Sequence, residues 1–107
     1  MLTMEMLQDA KKVLDGVARK TPVFQSTYIN PDADVYIKCE NMQVTGSFKL
    51  RGAYFKTASL TDAEAQKGVI ACSAGNHAQG VALAAQKKGI PAVICMPESA
   101  PMAKVEA

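Results

Sequence analysis

The sequence predicts an α/β protein built around a βαβ crossover, and three observations carry that prediction. Short apolar runs stand at Val69–Cys72 and Ala92–Met96, a segment of helical length from Asn76 to Lys88 separates them, and small polar residues fill the turn between the first run and that helix. Gly89 is the expected stop of the helix. Parallel strands joined in this way are buried under helices, which explains why both runs are continuously apolar instead of alternating. A parallel sheet needs more strands and helices on both faces than one crossover supplies, so an incomplete fold is expected, with the chain as an N-terminal piece.

The other elements follow in chain order. Thr3 can cap a helix whose apolar positions Leu7, Ala10, Leu14 and Val17 recur at helical spacing, with Glu5 in its first turn and an end near Gly16 to Lys20. Thr21-Pro22 forces extended backbone, and Asn30-Pro31-Asp32 reads as a turn before the strand-like run Val35–Cys39. After a polar loop from Asn41 to Gly46, a helix is expected from about Ser47 to Ala58. Thr61-Asp62-Ala63-Glu64 is a capping box for a second short helix closing at Gly68. Pro97 ends the last strand, and Pro101 suits the first turn of a further helix.

Composition narrows the function classes. The chain has 107 residues, 49% hydrophobic and 21% charged, with 12 basic and 10 acidic residues for a net charge of +2. That is the balance of a globular domain. There is no basic run and little aromatic content, so nucleic-acid binding is not expected. No apolar stretch is long enough to cross a membrane, which leads to a cytoplasmic expectation. Cys39, Cys72 and Cys95 are odd in number and widely spaced in apolar runs, the pattern of reduced core thiols. With one histidine and no Cys-x-x-Cys pair, no metal site is expected. Lys38, Glu40, Lys56, Lys87 and Lys88 read as solvated charges, and the methionines as gap-filling core.

Two segments carry the chemistry. In Ser47-Phe48-Lys49-Leu50-Arg51-Gly52-Ala53 the lysine falls in the first helical turn, where the positive end of the helix and partial burial beside Phe48 would both disfavour an ammonium ion. A neutral amine is what imine formation requires. The small Gly52 and Ala53 would let a flat ring or another backbone come close. Lys49 equally suits a surface lysine lying beside a core phenylalanine.

In Ser73-Ala74-Gly75-Asn76-His77-Ala78-Gln79-Gly80 a turn at the carboxyl end of a parallel strand opens a helix, the position at which open α/β sheets bind ligands. Backbone N–H groups there can hold a carboxylate, with Ser73 and Asn76 adding directed hydrogen bonds. Simple helix capping by these small polar residues is the other reading. His77 offers a general base or a local hydrogen bond, and Gln79-Gly80 fits close helix packing. Neither a dinucleotide fingerprint nor a Walker loop is present.

Taken together and in order, Glu40-Asn41-Met42-Gln43-Val44-Thr45-Gly46-Ser47-Phe48-Lys49-Leu50-Arg51-Gly52-Ala53 and Ser73 to Gly80 closely resemble the threonine ammonia-lyases. These are enzymes of pyridoxal 5'-phosphate with fold type II, related to serine dehydratase, serine racemase and the tryptophan synthase β-subunit. The resemblance runs from about Thr3 through Met96-Pro97-Glu98-Ser99-Ala100-Pro101, Lys104 and Ala107. It implies a three-layer αβα fold, with residues 1–48 in the large cofactor-binding domain and 49–107 at the start of the small domain.

It implies that Lys49 forms the imine with the cofactor and moves the substrate's Cα proton, and that Phe48 packs against the ring. By the same resemblance Asn76 hydrogen-bonds the phenolic oxygen, and Ser73, Gly75, Asn76 and His77 bind the substrate carboxylate. The implied reaction is loss of water from L-threonine, or less readily L-serine, giving 2-oxobutanoate or pyruvate and ammonia. Ala74 stands where racemase relatives carry a serine base for the opposite face, which favours elimination. The phosphate loop, the residue facing the pyridine nitrogen and the cation site of the family are expected beyond residue 107. A homo-oligomeric full-length enzyme is implied as well. A serine dehydratase or racemase relative, or a non-catalytic binding module, remains the alternative.

Overall fold

A computed structural model describes all 107 residues. Helix α1 spans Met4–Val13, and the Thr3 hydroxyl accepts the Met6 N–H at 3.2 Å as its cap. The chain continues in turns through Ala18, whose N–H reaches Leu14 O at 3.0 Å. Strands β1 (Val23–Ser26) and β2 (Val35–Lys38) pair antiparallel, with Phe24 opposite Ile37. A single 3-10 turn at Glu40–Met42 leads to α2, Lys49–Ala58, which begins two residues later than the sequence pattern places it.

The Thr61–Glu64 capping box is formed in both directions and opens α3, Asp62–Lys67. The Thr61 backbone and hydroxyl hydrogen bonds hold the Glu64 carboxyl below its ordinary range. Gly68 follows at φ +80°, and a Cβ there would lie 2.4 Å from Pro91 O. Only glycine lets β3, Val69–Cys72, enter beside Pro91, where Val69 N–H bonds Pro91 O at 2.9 Å. Helix α4, Asn76–Lys88, then returns the chain to β4, Ala92–Cys95, parallel to β3 with Ala71 opposite Ile94. The left-handed Gly89 (φ +66°, ψ +31°) stops α4 as expected. Pro101 precedes the last helix, α5, Met102–Glu106.

The core lies between α2, α4 and β3. Ala53, Ala71, Val81 and Ala84 form it, flanked by Tyr54, Val69 and Ile94, and Leu50 is fully buried beside them. Alanines and Gly80 dominate the contact because α2 and α4 approach too closely for longer side chains. A Cβ on Gly80 would stand 3.0 Å from the carbonyl carbon and oxygen of Lys49. Close packing at Gly80 is therefore found, and Ala53 serves the same contact. Gly52 does not, having nothing near its Cβ position.

The structure corrects several expectations about burial. The parallel pair is covered on one face only: Ala71 points inward, whereas Ile70 and Val93 on the other face are 74% and 57% exposed. Cys72 and Cys95, partners in register on that bare face, are free and exposed, and Cys39 is free and half-buried, so these thiols are reduced but not core. Met1, Met4, Met6, Met42 and Met102 are exposed, not core fillers. The common cause is unpartnered surface. The chain exposes 7752 Å², against roughly 5,800 Å² for a compact monomer of its mass.

Candidate active site

Lys49 opens α2 with its backbone fixed on three sides. Its N–H points to the Ser47 hydroxyl at 3.4 Å, the next residue is the buried Leu50, and Arg51 is clamped to Glu40. Its side chain, by contrast, is exposed, with Nζ 5.0 Å from the ring centroid of Phe48, itself 59% exposed. The expected partial burial of this lysine is thus not found, because no element covers that face of α2. What results is a free amine on a rigid base, beside an aromatic surface.

The clamp behind Lys49 is a network that the sequence pattern does not reveal. Arg51 donates to Glu40 through Nε at 2.9 Å and Nη2 at 2.8 Å, and the Thr21 hydroxyl donates to the same carboxylate at 2.6 Å. The buried Gln43 accepts from Arg19 N–H at 2.7 Å and donates to Arg19 O at 3.1 Å. Glu40 is therefore no solvated charge, and Lys38 also has a partner, Thr21 O at 2.7 Å. The signal available in the sequence was the opposite charge of Glu40 and Arg51 on the two sides of a short loop.

Hydrogen bonding by Arg51 holds the Glu40 carboxyl at about 2, from an ordinary 4.5. Because the folded value is depressed, the pair's stabilisation is complete above the unfolded value and is lost as pH falls from about 4.5 towards about 2. A Glu40→Gln variant is expected to be less stable near neutral pH by about 2 kcal/mol, allowing for the partial exposure of Arg51. The difference should close on acidification. Urea unfolding across that range checks it, and a constant gap would contradict the ion-pair account.

The second segment forms the start of α4. No side chain caps this helix, so its first-turn N–H groups are open to a ligand, while the Ser73 hydroxyl accepts Gly75 N–H at 3.2 Å within the turn. Asn76 is exposed, and its Oδ1 accepts from Lys104 Nζ at 2.9 Å. His77 is exposed and makes no side-chain hydrogen bond, so the local bond considered for it is not formed. Gln79 donates to Lys104 O at 2.8 Å, a tie to α5 instead of a helix-packing role.

Gly80, one turn after Asn76, touches the Lys49 backbone, so the two segments meet along about 6 Å of α4. A cavity of about 640 Å³ between α1 and α2 is lined by Leu7, Leu14, Lys38, Arg51, Gly52 and Phe55; it takes in two residues of the first segment but neither Lys49 nor any residue of the second. No group of side chains suited to a metal ion is present, and no helix is long and apolar enough to cross a membrane.

An amine on a fixed backbone and an uncapped helix start, carried by two packed helices of an α/β fold, are the chemical features of this chain. The comparisons give its family. The profile described as pyridoxal-phosphate dependent enzyme matches residues 14–107, and the chain belongs to that family. It is 50% identical to the L-threonine ammonia-lyase of Thermotoga maritima, over 98% of this chain and 27% of that protein.

Among solved structures it superposes on maize serine racemase with a TM-score of 0.87, at 41% identity over 96% of this chain and 32% of that one. Threonine deaminase isoform 2 of Solanum lycopersicum gives 0.77 at 39% identity, over 99% and 31%. The chain thus spans about a third or less of the length of the relatives it matches. The fold-type II reading of the sequence is borne out.

Proposed function

We propose that this chain supplies the lysine-bearing part of a pyridoxal 5'-phosphate-dependent L-threonine ammonia-lyase. The observation that carries the proposal is the free Lys49 amine held on an immobilised backbone that α4 crosses at Gly80. The residues present fit the cofactor. Lys49 would hold it covalently, Phe48 offers a flat apolar surface, and the Asn76 amide retains donors for a phenolic oxygen.

When bound, the cofactor supplies an electron sink for loss of the β-hydroxyl. The chain's own residues do the rest. Ser73, Gly75, Asn76 and His77 orient the substrate carboxylate at the open start of α4, and Lys49 moves the Cα proton on one face. Ala74, with only a methyl group, offers no proton carrier on the other face. This supports elimination over racemisation, and the Thermotoga relative bears the name of that activity.

In this reading residues 1–48 belong to a large domain and 49–107 begin a small one, consistent with the packing of α2 on α4 and β3. The bare face of β3 and β4 suits further layers of the same protein.

The test is borohydride reduction of the full-length gene product with pyridoxal 5'-phosphate, followed by mass spectrometry and product analysis. The expected results are an adduct at Lys49 and release of 2-oxobutanoate and ammonia from L-threonine, with pyruvate from L-serine at a lower rate. Racemised serine without keto acid would assign a racemase instead. Absence of a Lys49 adduct would remove the basis of the proposal.

A further inference from the structure

Two carboxamides in the opening turns of α4 grip the same distant residue. Asn76 Oδ1 takes a hydrogen bond from Lys104 Nζ at 2.9 Å, and three positions on, Gln79 Nε2 donates to the backbone carbonyl of Lys104 at 2.8 Å. Lys104 N–H in turn bonds Pro101 O at 2.8 Å, which closes the first turn of α5 around that anchor. Lys104 is thus fixed at both its backbone and its ammonium.

The chemistry of the contact is one-sided. An ammonium group has donors and no acceptor, so the asparagine atom facing it must be the oxygen. Both N–H donors on Asn76 Nδ2 are then turned away from Lys104. An unconstrained asparagine at the same place could present either end of its amide.

We infer that Lys104 is a positioning residue: by holding Asn76 Oδ1 it sets the amide so that Nδ2 donates to the phenolic oxygen of the cofactor. This rests on the proposed function, in which Asn76 faces that oxygen. The consequence concerns where a proton resides. A donor at the phenolic oxygen stabilises its anion and keeps the shared proton on the lysine nitrogen, the form with the longer-wavelength absorbance band.

The experiment uses the full-length protein loaded with pyridoxal 5'-phosphate and compares the ratio of its two absorbance bands at fixed pH. Lys104→Met is expected to shift the ratio towards the shorter-wavelength band by about 2- to 10-fold, the range of one hydrogen bond. Asn76→Ala should shift it in the same direction, the double variant no further than Asn76→Ala alone, and Lys104→Arg should restore it. Lys104→Gln is too short to reach Asn76. It should match the methionine variant, and replaces it if that protein does not fold.

An unchanged ratio in Lys104→Met, or an equal shift in the Asn76→Ala background, would overturn the inference while leaving the Lys49 adduct in place. Absence of that adduct in the wild type would overturn the inference together with the proposed function.

Discussion

A Lys49→Ala protein is expected to lose turnover of L-threonine by on the order of 10³-fold or more while folding normally. The two halves of that expectation come from different parts of the same residue. The side chain is exposed and lies 5.0 Å from the centroid of an equally exposed Phe48 ring. Its removal should cost at most about 0.5 to 1 kcal/mol of stability, the scale of a solvated cation–π contact.

The backbone stays fixed without it, because Leu50 is buried and Arg51 remains bound to Glu40. A lost activity with an unchanged urea midpoint would therefore report chemistry and not unfolding. Lys49→Arg sharpens the point. It keeps charge, length and the contact with Phe48, yet a guanidinium does not give up its proton near neutral pH and should be equally inactive. Retention of a tenth of wild-type turnover by either variant would exclude Lys49 as the covalent amine.

What the sequence made legible was local. Caps at Thr3 and Thr61, the stop at Gly89 and the limits of α4 all depend on residues within a few positions, and the structure has them where the pattern puts them. Lys49 and the Ser73–His77 turn are visible for the same reason, since a lysine at a helix start and small polar residues at a strand-to-helix turn are short-range signatures. Pairings across long separations were not visible. Glu40 with Arg51, Gln43 with Arg19, and Lys104 with Asn76 join residues 11, 24 and 28 positions apart. Nothing in a period of two or 3.6 encodes such a partner.

Burial failed for a related reason. Apolar runs at β3 and β4 report how apolar a strand is, not whether both of its faces are covered, so the pattern puts Ile70, Val93, Cys72 and Cys95 in a core that only Val69, Ala71 and Ile94 face. The same reasoning hid Lys49, whose neighbour Phe48 was expected to bury it and instead stands open. The candidate residues thus stand out by type and spacing, while the contacts that hold them had to be seen. In the proposed function that support sets Lys49 apart from other surface amines, because it fixes the backbone from which the side chain reaches.

The tightest part of that support is the crossing of α4 over the start of α2, and Gly80→Val is expected to break it. A Cβ at residue 80 would sit 3.0 Å from Lys49 C and O and 3.2 Å from Leu50 N, against backbone that cannot rotate away as a side chain would. Leu50 is fully buried and Ala78, Ala84 and Ala85 of α4 are at 1% exposure or less, so relieving the clash means shifting packed helix backbone. Overpacking of this kind should cost about 2 to 3 kcal/mol for valine.

Alanine should cost less, because part of its clash is offset by roughly 1 kcal/mol of helix propensity. Gly52→Ala provides the contrast. It also lies inside α2, but nothing lies within 4 Å of its Cβ position, so the propensity gain should appear undiminished as added stability. Because the atoms displaced by Gly80→Val belong to Lys49, the variant should also slow borohydride-trappable adduct formation at that residue, whereas Gly52→Ala should not. Equal stability and equal adduct formation in the two variants would show that the crossing does not set the position of the lysine.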